Sequence, residues 1–457
     1  VSATTGGASR RGDGAATLRH HGAVASVGII GGGPAGLALA CRLRRQGHAV
    51  TLFELEPRFG GLAAASALGD LEVERYYHFL CRGDRAYLAW LDELGLGDRL
   101  RWTTTRLGFC YQGRYHSLAT PLDLLRCSAL TLPGRVRYGL FTARCAALED
   151  WRRLDGIPAR DWLVHNLGFD TYHVLWHPLL AMKFHEHHAQ ISAAWIWHRI
   201  HRVARSRGAG LQRERFGHLV GGTPTLIDEL VRRARALGCD LRAGVRVTRV
   251  THDGGAVTGV ETDAGALRCE RVVSTVPLPV FCELVPGLPP RYLAHLRSID
   301  YLGVVCVRLR LREPFSDSYW LNVNDPRVPF NGCIEYTHLN PGATPDGSTL
   351  LYVPYYVDPR SARYRASDAE TIEDTLHALA AIQPRFGPER VRDASVARDR
   401  YAQVVCRVGF GLLVPPHETP IAGLHLVESS QLYPADRSIS ATLELVDRVA
   451  ASIGPAS

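Results

Sequence analysis

At 457 residues the chain is too long for one hydrophobic core, so two domains, consecutive or interleaved, are expected. Apolar residues make up 46% and charged residues 21%, a globular composition that excludes a largely disordered or fibrous protein. The net charge of +8 comes with neither a zinc-finger spacing nor an aromatic RNA-binding sheet motif, so nucleic acid is not an expected partner.

Lys183 is the only lysine among 53 basic residues, a bias that reads as GC-rich coding and makes this position conspicuous. The eleven cysteines form no CxxC pair and are odd in number, which predicts reduced thiols and no disulfide framework. No apolar run approaches the roughly 18 residues of a membrane span, and the N-terminal stretch has no signal-peptide core. A cytoplasmic location is the expectation. Residues 1–23, rich in Gly, Ala, Ser and Thr without apolar periodicity, read as a disordered tail.

The organising stretch runs from Val24 to Glu54. An apolar run meets Gly31-Gly32-Gly33-Pro34-Ala35-Gly36, a helical pattern continues to Gly47, and a second apolar run ends on Glu54. Strand, glycine turn, helix, strand is the order a dinucleotide site requires. Gly31 allows the tight turn, Gly33 lets backbone approach a pyrophosphate, and Gly36 lets the helix lie close to the sheet. The phosphate sits at the helix N-terminus, at Pro34 and Ala35, where free N–H groups and the helix dipole favour an anion. Glu54 is spaced to hold a ribose diol.

Pro57-Arg58-Phe59-Gly60-Gly61-Leu62 follows directly. With this turn the sequence resembles flavoproteins of the monoamine oxidase, protoporphyrinogen oxidase and phytoene desaturase type. The resemblance implies FAD as cofactor, with Arg58, Gly60, Gly61 and Leu62 along its pyrophosphate and ribityl chain. Val73 to Leu80 reads as a strand leading to a helix from Asp84 to Leu94. A similar strand with a histidine occurs in UDP-galactopyranose mutase beside the flavin ring. His78 is therefore a candidate flavin neighbour, or a hydrogen-bonded histidine of a strand core.

Residues 120–205 read mainly helical, with Trp151, Trp162, Trp176, Trp195 and Trp197 as core pieces. Within them, Trp176 to His188 carries a histidine cluster, but HExxH spacing is absent and Pro178 interrupts a common helical face, so no metal site is expected. Lys183 is the candidate catalytic group here. A buried lysine can be held neutral and act as a base or orient a water, which arginine cannot. The resemblance places such a lysine on the substrate-domain sheet instead, where this chain has Tyr301-Leu302-Gly303-Val304-Val305 and no lysine. The arginines 199, 202, 205, 207, 213 and 215 suit an anionic substrate, a membrane surface or plain solvent.

Beyond Leu219-Val220-Gly221-Gly222, the pattern predicts a helix over 225–237, a strand over 240–250 and a hairpin at Asp253-Gly254-Gly255. By resemblance, Val247 meets the adenine and the run Arg271 to Pro277, with Thr275, closes on the FAD. Residues 291–414 alternate short apolar strands that suit a substrate-domain sheet. A strand over 421–427 and a helix from Ser438 to Ala451 end the chain. By resemblance this helix points its N-terminus at the flavin, stabilising its reduced anion. The relatives' Gly-Asp after that strand is here Glu428-Ser429, and their glycine before the helix is Ser438.

The expected fold class is α/β: a Rossmann-type, GR2-like FAD-binding domain (24–105, 212–290, 415–457), a helical subdomain (106–211) and an interleaved α+β substrate domain with its sheet over 291–414. The expected function is FAD-dependent hydride removal from an activated C–H of a small biosynthetic intermediate, anionic if the arginines serve it. The alternatives are a redox-neutral flavin isomerase on an anionic sugar or prenyl substrate, and a non-catalytic flavin-binding protein. Neither the electron acceptor nor the oligomeric state is legible.

Overall fold

The computed structural model describes residues 25–117, 120–206, 215–253 and 255–456. The expected tail, Arg207 to Arg213 with its glycines, and the hairpin apex Gly254 lie outside these residues.

Ser26–Ile30 forms the centre of a five-stranded parallel sheet, in the order Leu424–Leu426, Arg271–Ser274, Ser26–Ile30, Ala49–Glu54, Asp240–Ala243. Parallel strands covered on both faces read as near-continuous apolar runs, and four of the five central residues are buried. The first helix, Pro34–Arg45, opens on proline, whose missing N–H costs nothing there, and closes with Arg42, Arg44 and Arg45 beside its negative end. It packs between the helices Ile439–Ile453 and Pro224–Ala236.

The strand expected over 240–250 is two strands in two sheets. Gly244, at φ +71°, turns the chain after Ala243, and Val247–His252 then starts a three-stranded antiparallel sheet. Glycine is the residue that adopts this backbone readily.

The second large sheet has seven strands, in the order Val391–Val404, Tyr301–Leu311, Thr349–Val357, Gly332–Glu335, Trp320–Val323, Leu107–Tyr111, Arg114–Ser117. Its last two members correct the boundary at 106: the stretch expected to be helical opens as a hairpin. Gln112 and Gly113 both have positive φ, the backbone of a type I′ hairpin turn, and Leu107–Tyr111 pairs in parallel with Trp320–Val323. Helices run from Pro121–Arg126 to Ala193–Ser206. Trp176, Trp195 and Trp197 are buried in their core, whereas Trp151 and Trp162 are only partly covered. All eleven cysteines are buried and free. Among the described residues no helix is long and apolar enough to cross a membrane.

Candidate active site

Local chain geometry builds the first wall of the site. Gly31 has φ +104°, and a Cβ there would lie 2.5 Å from the Thr275 hydroxyl oxygen. A Cβ on Gly36 would come within 1.9 Å of the Gly31 carbonyl oxygen, so helix and turn touch through backbone alone. At Gly33 the nearest atom to such a Cβ would be Gly61 Cα at 3.9 Å, which leaves that backbone open. The Gly60 amide donates to the Gly32 carbonyl (2.9 Å), fastening the second glycine turn to the first.

Glu54 is buried, and its two oxygens accept from the amides of Gly32 (2.6 Å) and Glu56 (2.8 Å). Thr275 bridges the carbonyl oxygens of Ile30 (2.9 Å) and Gly31 (3.1 Å) with its hydroxyl, so it holds the glycine turn. Ser438 caps the C-terminal helix by accepting from the Ala441 amide (3.2 Å).

These elements wall one cavity of about 1040 Å³. Gly31, Gly33, Pro34, Ala35, Glu54, Gly61, Leu62, Val247, Thr275 and Ser438 all line it. Three predicted contacts do not. Gly36 lies behind the turn, Gly60 serves the turn-to-turn hydrogen bond, and Arg58 points to the surface, where it pairs with Glu72. An exposed arginine beside a glutamate keeps its charge in water, which costs less than turning it inward.

The donor set fits an adenine dinucleotide. Two side-chain-free turns face each other, and first-turn amides of the helix have no intrahelical acceptor. Glu54 closes the strand beside them. Bound FAD would be held by these groups, with the N-terminus of Ile439–Ile453 on the same cavity.

Other walls of this cavity carry different chemistry. Tyr77 and Trp320 meet edge to face with centroids 5.3 Å apart, and Arg437 lies 5.7 Å from the Tyr356 ring. His78 also lines it. Its Nδ1 lies 2.8 Å from Glu74 Oε2, and Nε2 has no hydrogen-bond partner among the described residues. Glu74, 4% exposed, further accepts from the Thr223 amide (2.8 Å), the Thr223 hydroxyl (3.1 Å) and the Tyr336 hydroxyl (2.9 Å). A Cβ on Gly222 would lie 2.7 Å from Glu74 Oε1, so that glycine makes room for the carboxylate.

Of the arginine run, Arg199 and Arg202 reach the cavity. Arg202 forks onto Asp84 (3.0 and 2.7 Å), and Arg199 donates to Asp436 (2.7 Å). Arg205 and Arg215 are exposed, and Arg207 and Arg213 lie outside the described residues. Among the described residues no carboxylate side chain is within ion-pair distance of Arg75, Arg400 or Arg437, all on the cavity wall. Burial raises the Asp399 carboxyl above its ordinary value, and the Tyr76 hydroxyl donates to it (2.6 Å).

Lys183 does not line the main cavity. It borders a small adjoining one of about 30 Å³ that shares Tyr77, Arg199, Trp320 and Tyr356 with it. Its side chain is 3% exposed, and Nζ lies over the rings of Tyr356 (4.4 Å) and Trp195 (4.7 Å). Burial pulls its pKa down to about 7, with Arg199 and Arg437 adding to the shift and Asp436 opposing it. Within the histidine cluster, His177 stacks on His173 (5.3 Å), while His185 Nε2 and His188 Nδ1 bond the carbonyl oxygens of Tyr356 (2.6 Å) and His185 (2.7 Å); among the described residues no three His, Cys, Asp or Glu groups are arranged to hold a metal.

Glu74, Asp436 and Arg437 escaped sequence reasoning. The signal for the last two was their place immediately before the cap Ser438. Glu74 stood only four residues from His78 and was masked by a strand pattern.

The model of the family described as flavin containing amine oxidoreductase matches residues 34–433. The coproporphyrinogen III oxidase of Mycobacterium tuberculosis is 29% identical over 296 residues, 59% of this chain and 63% of that protein, so the match spans less than two thirds of the relative. Among solved structures, a candidate protoporphyrinogen oxidase from Exiguobacterium sp. 255-15 superposes with TM-score 0.74 at 19% identity, covering 94% of this chain and 99% of that one. Reduced UDP-galactopyranose mutase does so with TM-score 0.72 at 15% identity, covering 94% and 96%. Both are likenesses of fold. The family match runs from the first helix to the loop before the last one, and the chain belongs to the flavin-containing amine oxidoreductases, with FAD as its cofactor.

Proposed function

We propose that the protein oxidises an activated C–H bond, next to nitrogen or allylic, of a small molecule that carries an anionic group. The observation that carries this reading is Arg437 on the wall of the FAD cavity: its guanidinium donates to the Ala402 carbonyl oxygen and the Tyr356 hydroxyl (3.3 Å), feels Asp436 through space, and among the described residues has no carboxylate within ion-pair distance. A half-buried guanidinium held only by neutral acceptors on a cavity wall is suited to fork onto an anion supplied from outside the chain.

Bound FAD supplies the two-electron acceptor. The chain's own groups bind and orient. Arg437, with Arg75 and Arg400 on the same wall, would fix the anionic group, while Tyr77, Trp320 and Tyr356 hold the apolar body. His78, locked by Glu74, presents Nε2 to take up the proton lost from the neighbouring N–H or C–H as the double bond forms, the hydrogen of the oxidised C–H leaving as hydride with both electrons. Lys183 acts one layer back, through Asp436, as a positioning residue.

Coproporphyrinogen III, named for the mycobacterial relative, is the first compound to test. Arg437→Met should raise KM about tenfold or more for an anionic substrate, with a much smaller change for its ester. Equal effects on acid and ester would remove Arg437 from anion recognition.

A further inference from the structure

The helix Ala193–Ser206 carries two neighbouring histidines with opposite surroundings. His201 packs against the helix Leu132–Ala147, where its Nδ1 bonds the Cys145 carbonyl oxygen (2.8 Å) and its ring lies 4.6 Å from that of Trp197. His198 lines the large cavity with Arg199, Arg202 and Val203. Positions 198 and 202, and 199 and 203, are about one turn apart, so one face of the helix forms this wall. Among the described residues no hydrogen bond reaches either ring nitrogen of His198.

The two nitrogens differ in access. Nδ1 is sealed without a partner, which leaves Nε2 as the nitrogen the ring offers to the cavity. A sealed N–H without an acceptor is rarer and costlier than a sealed lone pair, so the neutral ring keeps its proton on Nε2. His78 is the reverse case. Its Nδ1 faces Glu74 Oε2 (2.8 Å), a carboxylate that only accepts, so Nδ1 holds the proton and Nε2 is bare. One cavity thus contains an imidazole that offers a lone pair and another that offers an N–H. Arg202, one turn from His198, lies 5.1 Å from the ring of Phe79, the residue after His78, and so joins the segments that carry the two histidines.

The surroundings of His198 hold it neutral. Burial acts first, and Arg202 and His201 on its own helix act in the same direction. Asp436, ahead of the C-terminal helix, and Asp84, ahead of the helix Arg85–Leu94, oppose them. Both acids are committed to arginines, Asp84 to Arg202 (3.0 and 2.7 Å) and Asp436 to Arg199 (2.7 Å). The imidazole is pushed down to about 4. A neutral N–H of this kind holds an oxygen without adding a charge of its own to the site.

We propose that His198 donates its Nε2–H to a carbonyl or carboxylate oxygen of the substrate, opposite in role to His78. This role rests on the reading that substrate enters the cavity, and it adds to that substrate an oxygen acceptor placed to meet a neutral donor.

The test uses the FAD-loaded full chain labelled with 15N in histidine, with His198→Phe identifying the His198 signals. Without ligand, the ring should show a protonated Nε2 and a bare Nδ1, unchanged from about pH 5.5 to about pH 8. Benzoate, a carboxylate on an apolar ring, should move the Nε2–H proton signal downfield to saturation, in Arg437→Met as well as in wild type. Benzoate affinity, read from the flavin absorbance, should fall about tenfold in His198→Phe. It should stay within about threefold of wild type in His198→Gln, whose amide nitrogen can stand in for Nε2. Unchanged FAD and helix content establish that the variants are folded. A proton on Nδ1, titration near the ordinary 6.5, an Nε2–H signal that benzoate leaves in place, or equal losses in the Phe and Gln variants would each overturn the proposal. None of these readouts depends on turnover, so their failure is separable from failure of the proposed oxidation.

Discussion

Lys183 Nζ stands 3.7 Å from Asp436 Oδ2, the oxygen that also accepts a 2.7 Å hydrogen bond from Arg199. One carboxylate thus gathers two cations from the helical part of the chain, and the next residue, Arg437, faces the cavity. Burial works to raise the Asp436 carboxyl, but Lys183, Arg199 and Arg437 together hold it below the usual range.

The lysine's own titration gives a test of this cluster. Lys183 is lowered from 10.5 to about 7 in the folded protein, by burial first. Between those values the unfolded chain holds a proton that the folded one has released, so the Lys183 contribution to stability rises with pH across that window. Below it both states are protonated and the buried charge is a standing cost. Urea midpoints of wild type and Lys183→Met, compared at about pH 6 and about pH 9, should shift in favour of wild type at the higher pH. A pH-independent difference would place Lys183 in water.

Glu74 satisfies an amide, two hydroxyls and His78 from a buried position. Glu74→Ala leaves the Thr223 and Tyr336 donors without their acceptor and should cost about 1–3 kcal/mol or more of stability. It also frees the His78 ring, so kcat should fall further than in Glu74→Gln, which keeps an acceptor there. The two are separated by thermal unfolding and by turnover of the folded fraction.

The two glycines of the first turn should fail differently. Gly36→Ala puts a methyl 1.9 Å from the Gly31 carbonyl oxygen and should destabilise the apoprotein as well as empty it of flavin. Gly33→Ala meets nothing closer than 3.9 Å and should leave the apoprotein's unfolding temperature near wild type while lowering FAD content. Equal apoprotein stability in both variants would contradict the close helix contact.

What could be read in advance was local in the chain. The turn from Gly31 to Gly36, the pair Gly60-Gly61, the strand Arg271–Ser274 and the capped C-terminal helix each depend on residues a few positions apart. The rest is long-range. Glu74 has partners 149 and 262 residues away, and the Asp436 cluster joins segments more than 230 apart, so no window holds both sides. Leu107–Tyr111 looked like the entry to a helical region because the strand that recruits it, Trp320–Val323, comes much later. The break at Gly244 was invisible because its residue types on both sides suit a strand, and only the positive φ divides them.

The measurement closest to the central claim is anaerobic mixing of the FAD-loaded protein with a substrate it turns over, followed at the oxidised flavin band. The expected result is bleaching that saturates with substrate, with Arg437→Met needing a higher concentration to reach a similar limiting rate. Product that forms while the flavin stays oxidised, or bleaching whose concentration dependence ignores Arg437, would contradict the claim that one cavity serves both FAD and an anionic substrate.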